Sequence, residues 1–492
     1  MIGSTAAVRA RFPSRVVINA GAVFVRKRLP RCTNVALAIL AGAACLAGRA
    51  RAEPPAPDVK PEAPSAVEPD QRPAWLARAL RPEDWSANFQ TTYVWQMHPA
   101  FAAAYDGAHS LKSQRETGYS LTATLFLGYR PWRGAELFFN PEMIQSVPLS
   151  DLHGLGGFSN GENQKTGGPT ARLYSARAFL RQTIRLGGDE TPVAAGANQF
   201  GGQMLSRRLV VTVGQMALVD IFDNNALAHD PRIQFLNWAL MAGGASDYAA
   251  DARGYTVGFA VEYYRDAWAF RFGHFAQPKQ SNGLALDYRL WAHFGENLEV
   301  EHRHALGGLT GSVRLLTFLN YARMGSFSDA LACGTVTGTP DLASVRRSQA
   351  KLGVGVGFDQ SLTRDLGLFG RYSWNDGRTE TYAFAEMDQS LTMGLAMRGR
   401  LWFRPRDTIA FASVHNGLSD SHRAYLAAGG LGNFLGDGQL NYRPEQVFEA
   451  YYSFGAFAGM WLTIDGQYVL NPGYNADRGP VKFVAVRLHF EY

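Results

Sequence analysis

The feature that most constrains this chain is an alternation of apolar and polar residues that continues to its last residue. In the closing stretch "VAVRLHFEY", the apolar positions are Val484, Val486, Leu488, Phe490 and Tyr492. The positions between them are Ala485, Arg487, His489 and Glu491. A period of two is the spacing of side chains on a β-strand that has one apolar and one polar face. The last residue is still in register, so this strand is either a frayed edge or the partner of a strand elsewhere in the chain.

The same alternation recurs along the chain, for example in "SLTATLFLGY", "GYTVGFAVEYY" and "VFEAYYSFGA". It predicts sixteen strands, at 85–95, 120–130, 135–145, 171–186, 208–216, 254–264, 267–276, 293–304, 311–323, 350–361, 366–375, 389–402, 407–416, 446–456, 460–469 and 481–492. Because no change of composition interrupts this series after Trp85, we interpret 85–492 as one all-β domain.

Alternating strands can build a soluble sandwich with its apolar faces inside, or an outer-membrane barrel with its apolar faces towards lipid. Two features favour the barrel. The apolar faces end in aromatic residues, as at the interfaces of a membrane: Trp85, Trp95, Tyr129, Tyr264, Trp374, Trp402 and Tyr468. Short connections, such as 264–267 and 362–365, also coexist with long ones, such as 97–119, 146–170, 217–253 and 324–349.

The sequence therefore predicts a transmembrane antiparallel β-barrel of about 16 strands, with short periplasmic turns and long extracellular loops. We expect Tyr492 to close the barrel by pairing with the first strand, which leaves no free edge. A free terminal aromatic residue on such a strand is typical of clients of the barrel assembly machinery, so Phe490 and Tyr492 are the candidate assembly signal.

The N-terminal residues predict export. A basic segment, an apolar run at 35–48 and the small-x-small sequence at 50–52 indicate that 1–52 is a signal peptide. These residues hold nine of the 48 lysines and arginines and no acidic residue, so 39 basic residues face 42 acidic ones in the rest of the chain. The high pI therefore belongs to this segment, and no nucleic-acid surface is expected. Residues 53–73, with seven prolines, predict an extended linker, and 74–84 a short helix.

If apolar residues face lipid, the alternate residues line the lumen. In "RLYSARAFLRQTIRL", Tyr174, Ala176, Ala178, Leu180 and Ile184 are assigned to lipid, which leaves Arg177, Arg181 and Arg185 along the lumen. The same parity assigns further pore-lining and substrate-binding candidates: Arg271, Arg371, Glu262, Glu301, Glu449, Tyr451 and Trp461. Arginine and glutamate can bond hydroxyl groups in a planar arrangement. Each charge could equally serve only to solvate the lumen and balance its neighbours.

Other motifs carry little chemistry. The glycines of "GVGVG" alternate on a strand and no helix follows, so no cofactor is expected. In "EVEHRH" the histidines and glutamates fall on opposite faces of a strand, which argues against a metal site. "DIFDNN", at 220–225, could bind a cation or simply form a turn. No nucleophile and base stand out at a recognisable spacing, and the chain is not expected to be an enzyme.

Several stretches resemble the carbohydrate-selective porin B (OprB-like) family of Gram-negative outer membranes. They include "TYVWQMHPAF", "YSLTATLFLGYRPWRGAELFFNPE", "GLGGFSNGE", "LYSARAFLRQT" and "LNPGYNADRGPVKFVAVRLHFEY". The resemblance runs from about residue 89 to residue 492. It implies a sixteen-stranded barrel, an inward-folded loop that narrows the lumen, and passive diffusion of sugars past arginine and glutamate.

The leading hypothesis is thus an outer-membrane porin for passive diffusion of carbohydrates, monosaccharides such as glucose among them. The alternatives are an outer-membrane barrel enzyme and a plugged adhesion or structural barrel. The expected partners are carbohydrate solutes, outer-membrane lipid and the barrel assembly machinery, and the protein could be a monomer or a trimer.

Overall fold

The computed structural model describes residues 82–492 except Gln164 and Ala385. The predicted signal peptide and linker, and residues 74–81 of the predicted helix, lie outside the described residues. Residues Pro82–Asp84 form a short 3-10 helix that leads into the first strand. The strands are β1 Trp85–His98, β2 Glu116–Tyr129, β3 Ala135–Val147, β4 Arg172–Val193, β5 Gly202–Met216, β6 Thr256–Arg265, β7 Trp268–Ala276, β8 Phe294–Leu306, β9 Leu309–Met324, β10 Arg347–Ser361, β11 Leu366–Asn375, β12 Gln389–Gly399, β13 Arg404–Gly417, β14 Glu445–Phe457, β15 Met460–Leu470 and β16 Val481–Glu491.

These strands form a closed antiparallel barrel in which each strand pairs with its neighbours in sequence. The last strand pairs with the first, Gln90 opposite Glu491 and Val94 opposite Arg487. Beyond β16, Tyr492 and Phe89 exchange two backbone hydrogen bonds of 2.8 and 2.9 Å. The predicted sixteen-stranded barrel and its closure by Tyr492 are confirmed.

The two faces of the barrel have the polarity expected in a membrane. On β12, Leu391 and Met393 are each 52% exposed on the outer face, whereas Thr392 between them is 2% exposed. On β16, Val484 is 44% exposed on the outer face and Arg487 is fully buried inside. The apolar side chains on the outside face lipid, and the polar side chains lie in the interior.

Turns and loops alternate around the barrel. Tight turns such as 266–267 and 307–308 lie at the periplasmic end, and long loops such as 148–171, 217–255 and 418–444 lie at the extracellular end. The loops contain three helices: α1 Trp238–Met241, α2 Phe327–Thr337 and α3 Asp420–Ala427. Short 3-10 helices occur at Leu149–Leu152, Leu218–Asp220, Ala343–Val345, Arg400–Trp402 and Pro472–Tyr474. Each helix of the described residues is too short, or too polar, to cross a membrane.

The structure corrects two details of the face assignment. The pairing of β3 with β4 skips Ala176, since Asn140 lies opposite Arg177 and Pro141 opposite Ser175. This bulge reverses the parity, so Ala176 (0% exposed) and Tyr174 face the interior rather than lipid. Tyr264 also points inward, where its hydroxyl donates to Glu262 at 2.6 Å.

Residues 217–255, which we call the inner loop, fold into the barrel. The loop carries α1 and lies against the polar inner faces of the strands from β8 to β16. Its apolar side chains, such as Phe222, Phe235 and Leu240, are completely buried among rings from other loops and from the wall. The apolar core therefore sits inside the barrel and not between two sheets, because the inner loop supplies its own apolar residues to a polar lumen.

Candidate functional site

The inner loop is held against one wall of the barrel by buried charged side chains. On β11, Arg371 donates to Asp223 at 2.8 Å and to the carbonyls of Leu240 and Ala228 at 3.0 and 2.7 Å. On β16, Arg487 donates to the carbonyls of Pro231 and Gln234 at 2.6 and 2.7 Å.

A third anchor comes from β14. The carboxylate of Glu449 accepts the backbone N–H groups of Leu236 and Asn237, the latter at 2.9 Å. These backbone groups precede and begin α1, so a buried carboxylate occupies the start of a short helix. Together the arginine and glutamate anchors fix the loop by its main chain, which an irregular segment inside a barrel requires.

Several of the sequence-predicted lumen residues lie under this loop. Arg371 (4% exposed), Glu449 (0%) and Tyr451 (3%) all face inward as their parity predicted. The ring of Tyr451 packs edge-on against Phe235 with centroids 5.1 Å apart. The inner loop covers these three side chains, so they anchor the loop and do not contact open space. Trp461 also faces inward, with its ring 5.8 Å from that of His489.

On the opposite wall, Arg177 of β4 joins the inner loop to the barrel. Its guanidinium donates to both oxygens of Asp220 at 2.6 Å. Burial alone would raise the pKa of Asp220, but the charge and the hydrogen bonds of Arg177 outweigh it and hold this pKa below the ordinary value. In "DIFDNN", the backbone turns through the 3-10 helix Leu218–Asp220, as the second alternative drawn from the sequence had it, and Asp220 and Asp223 pair with arginines.

An outer vestibule of about 380 Å³ lies between the extracellular loops. Its lining includes Lys165, Asn282, Asn433 and Phe434. The Lys165 ammonium lies 4.1 Å from the ring centroid of Phe384, and it has no hydrogen-bond partner among the described residues. Burial lowers the pKa of Lys165 well below its ordinary value, and nearby carboxylates oppose this shift only in part.

Beneath Lys165 lies an aromatic stack made of Trp238, Tyr248 and Phe384. The ring of Phe384 is stacked on Trp238 at 4.6 Å and on Tyr248 at 5.2 Å between centroids. Trp238 and Tyr248 belong to the inner loop, and Phe384 comes from the loop after β11. All three rings are buried, so the stack joins the inner loop to the loop after β11, and Lys165 borders the vestibule beside it.

An inner chamber of about 910 Å³ lies below the inner loop, towards the periplasm. Among its lining residues are the predicted candidates Arg181, Arg185 and Glu262. Arg181 donates to Glu136 at 3.3 Å, and Arg185 pairs with Glu190 at the rim, where both side chains are about half exposed. The chamber adjoins a second cavity of about 450 Å³, and both are lined by Asp220, Ile221, Glu262 and Tyr264.

The remaining candidates form a charge cluster on β6–β8. Arg271 reaches Glu262, Glu299 and Glu301 at 3.3, 2.7 and 2.6 Å. Glu301 also pairs with Arg303 at 2.7 Å. The structure thus brings Arg271, Glu262 and Glu301 together at the second cavity, as the shared parity of neighbouring strands suggested.

The turn between β4 and β5 folds back into the periplasmic mouth. We call residues 194–201 the hairpin tip. The ring of Phe200 lies 5.7 Å from that of Phe138 on the inner face of β3, and the Arg130 guanidinium lies 4.2 Å above Phe200. The carbonyl of Asn198 accepts from Arg181 at 3.0 Å. The hairpin tip therefore forms part of the lining of the inner chamber.

Sequence reasoning missed the residues that the loops contribute to the site. Lys165, Trp238, Tyr248 and Phe384 lie in non-repeating segments, where strand parity gives no direction for a side chain. Arg208 lines the inner chamber and follows the parity of β5, so the same rule applied one residue at a time would have found it. Phe490 and Tyr492 point outward, and Tyr492 is 89% exposed.

Comparison with known proteins decides what kind of barrel this is. The family described as carbohydrate-selective porin, OprB family, matches residues 109–492. The chain is a carbohydrate-selective porin of the OprB family. The high-pH structure of OprB from Pseudomonas putida is similar to it in fold, with a TM-score of 0.64 and 18% sequence identity over 83% of this chain and 94% of that chain.

Two other solved structures are more distant from this porin. The low-pH structure of Pseudomonas putida OprB has a TM-score of 0.45 and 14% identity over 83% of this chain and 93% of that chain. The outer-membrane channel DcaP of Acinetobacter baumannii has a TM-score of 0.46 and 10% identity over 84% of this chain and 99% of that chain. The curated proteins contain no match to the chain.

The family confirms the leading hypothesis over its alternatives. The protein is a passive carbohydrate channel of the Gram-negative outer membrane and not an enzyme. Its substrates are carbohydrate solutes, and its closed barrel with apolar outer residues is the form in which such a channel crosses lipid.

Proposed function

We propose that this porin passes single sugar rings from the outer vestibule to the inner chamber along the edge of the inner loop. The observation that carries the proposal is the placement of the two cavities: about 380 Å³ above the aromatic stack and about 910 Å³ below the loop. Between them stand the aromatic stack, Lys165 and the Arg177–Asp220 pair. The aromatic stack fixes the edge of the inner loop, and the charged groups along this edge bond the hydroxyl groups of the sugar.

In this proposal nine of the ten predicted pore-lining residues divide into two groups, and Trp461, which lies beside His489, belongs to neither. Arg177, Arg181, Arg185, Glu262 and Glu301, with Arg271 behind them, contact the passing sugar or position the groups that do. Arg371, Glu449 and Tyr451 act indirectly, because they fix the inner loop whose edge narrows the path. No energy source is involved, and flux follows the sugar gradient.

Uptake into proteoliposomes tests this function. Liposomes with the full-length porin are mixed with solutions of neutral sugars of increasing size, and swelling is recorded by light scattering. We expect rapid swelling with glucose and much slower swelling with trisaccharides. Equal swelling rates for glucose and a trisaccharide would contradict the proposal, because the inner loop would then not set the width of the path.

We also propose that the barrel assembly machinery recognises Phe490 and Tyr492. Their side chains point outward at the end of the strand that closes the barrel, with Tyr492 89% exposed. Replacing Tyr492 with serine is expected to lower the amount of folded protein in the outer membrane, measured as the fraction that stays compact on an unheated gel.

A monomer and a trimer are both compatible with this function, and light scattering in detergent distinguishes them.

A further inference from the structure

Two of the arginines that line the inner chamber, Arg133 and Arg208, form no salt bridge among the described residues, and Arg208 is the buried one. Arg208, on the inner face of β5, is 8% exposed and lines the chamber of about 910 Å³. Its Nη1 donates to the carbonyl of Leu205 at 2.8 Å. Among the described residues, Arg208 forms no salt bridge, whereas Arg177, Arg181 and Arg271 each do.

The guanidinium of Arg208 is held flat by an aromatic ring. It lies 3.6 Å from the ring centroid of Tyr264, and the hydroxyl of Tyr264 donates to Glu262 at 2.6 Å. Two further guanidinium groups flank the same ring, those of Arg271 at 5.5 Å and Arg303 at 5.8 Å. Stacking fixes the plane of the Arg208 guanidinium, which lines the chamber.

The carboxylates around the chamber are held by other arginines. The lining contains five arginines and four acidic residues. Two of these acids are engaged by arginines outside the lining, Asp220 by Arg177 and Glu262 by Arg271. A third acid, Glu136, is shared by Arg130 and Arg181, and Arg185 pairs with Glu190 outside the lining. Arg208 is therefore a buried guanidinium that lines the chamber without a carboxylate of its own among the described residues.

We propose that Arg208, stacked on Tyr264, binds the carboxylate of an acidic sugar, such as a hexuronate, in the inner chamber. A planar, pre-oriented guanidinium edge with free N–H groups matches a carboxylate, and charge-assisted bonds of this kind are the strong ones. The proposal rests on the proposed passage of sugars through the chamber and narrows it to a substrate class: acidic sugars are preferred over neutral ones of equal size.

The test compares labelled glucuronate with labelled glucose entering proteoliposomes that contain the full-length porin. For the wild type we expect unlabelled glucuronate to inhibit glucose entry more strongly than unlabelled glucose does. Arg208→Gln is expected to lower the entry of glucuronate relative to glucose on the order of ten-fold, because a bond between charged groups is lost. Arg208→Lys keeps the charge but not the planar edge, and it is expected to retain only part of the wild-type preference for glucuronate over glucose.

The neighbouring arginine supplies a matched control. Arg207 lies on the outer face of β5, half exposed and paired with Asp266 at 2.9 Å. Arg207→Gln is expected to leave the ratio of glucuronate to glucose unchanged. Folding of each variant is checked by its compact migration on an unheated gel.

The outcomes separate the two proposals. If glucose and glucuronate both fail to enter, the proposed function is overturned, and this inference with it. If glucose enters but Arg208→Gln leaves the ratio unchanged, only the inference is overturned. Should the Arg208 variants not fold, the wild type decides: inhibition by glucuronate no stronger than by glucose contradicts the proposal, and stronger inhibition that is relieved at high salt supports it.

Discussion

The wall formed by β11–β16 and the wall formed by β4–β7 face the same lumen, yet they use their charges differently. On the first wall, Arg371, Glu449 and Arg487 are buried and bind the main chain of the inner loop. On the second, side chains such as Arg181 and Arg208 border a chamber of about 910 Å³. Parity along a strand is the same on both walls, so facing the lumen does not by itself make a residue part of the path.

The difference comes from where the inner loop lies. Its irregular main chain has N–H and C=O groups that must be satisfied inside the barrel. The wall β11–β16, which we call the covered wall, supplies the hydrogen-bond partners of these groups. Its charged side chains are therefore not available to a solute. On the wall β4–β7, which we call the open wall, charged side chains pair with one another, as Arg181 does with Glu136. Such pairs leave part of each charged group available to a solute. We therefore expect substitutions on the covered wall to change the width of the pore, and those on the open wall to change its selectivity.

The largest effect is expected from Arg371→Ala, which removes the anchor on β11. The substitution removes the ion pair with Asp223 and leaves three loop carbonyls, those of Asp223, Ala228 and Leu240, without this donor, at a cost of about 3 kcal/mol. The inner loop should detach from the covered wall, and conductance and the size limit for sugars should both rise. Single-channel recording and swelling with a trisaccharide measure this.

The matched control is Arg398→Ala. Arg398 also faces inward, on β12, but it is exposed near the periplasmic end and does not contact the inner loop among the described residues. Its substitution should leave the size limit unchanged. An unchanged size limit in Arg371→Ala would remove the distinction between the two walls.

A smaller effect is expected from Arg177→Ala, which breaks the ion pair between β4 and the start of the inner loop. The two hydrogen bonds of 2.6 Å to Asp220 are lost, on the order of 2 kcal/mol for a partly exposed pair. Hydrogen exchange near residue 220 should increase, and the pKa of Asp220 should rise because its arginine is gone. Arg181→Ala is the control, since Arg181 pairs with Glu136 and the hairpin tip instead. Equal exchange in both variants would contradict this assignment.

The sequence predicted the repeating part of this molecule well and the non-repeating part poorly. All sixteen strands, the closure by Tyr492 and the inward direction of Arg271 and Glu449 follow from period-two alternation and from the need to satisfy every strand edge. The rule failed for Tyr174, because a single bulge shifts the parity and leaves no mark in the pattern of apolar residues.

The site was harder to predict than the barrel, because accessibility is not a local property. Nothing in the residues around Arg371 or Tyr451 indicates that the inner loop, more than a hundred residues earlier in the chain, will cover them. Likewise Lys165 and Trp238 meet only because two loops fold into the same space. Contacts of this kind are set by tertiary packing, for which a strand pattern holds no information.

A pH effect is expected at the outer vestibule, where Lys165 sits on the aromatic stack. Burial lowers the pKa of this lysine well below its ordinary value, so its charge is present at low pH and disappears as pH rises, while exposed lysines keep theirs up to about pH 10. The preference of the pore for anions should therefore fall as pH rises, at a pH below the one at which exposed lysines lose their charge. Reversal potentials in a potassium chloride gradient, recorded over a pH series, measure this. Lys165→Met should have a low preference throughout the series, and a pH response that survives in Lys165→Met would assign the effect to another group.

The smallest effect is expected at the hairpin tip, which lines the open wall from below. Asn198 accepts a hydrogen bond of 2.9 Å from Asn140, and its backbone has a φ of 51°, a conformation that asparagine and glycine tolerate better than alanine does. Asn198→Ala loses the bond and adds strain, about 2 kcal/mol together, whereas Asn198→Gly loses the bond without the strain. Hydrogen exchange of residues 194–201 should increase more in the alanine variant than in the glycine variant.

Conductance should change little in either variant, because the hairpin tip borders the wide chamber and not the narrow edge of the inner loop. A large rise in conductance would instead place the narrowest point of the pore at the periplasmic mouth.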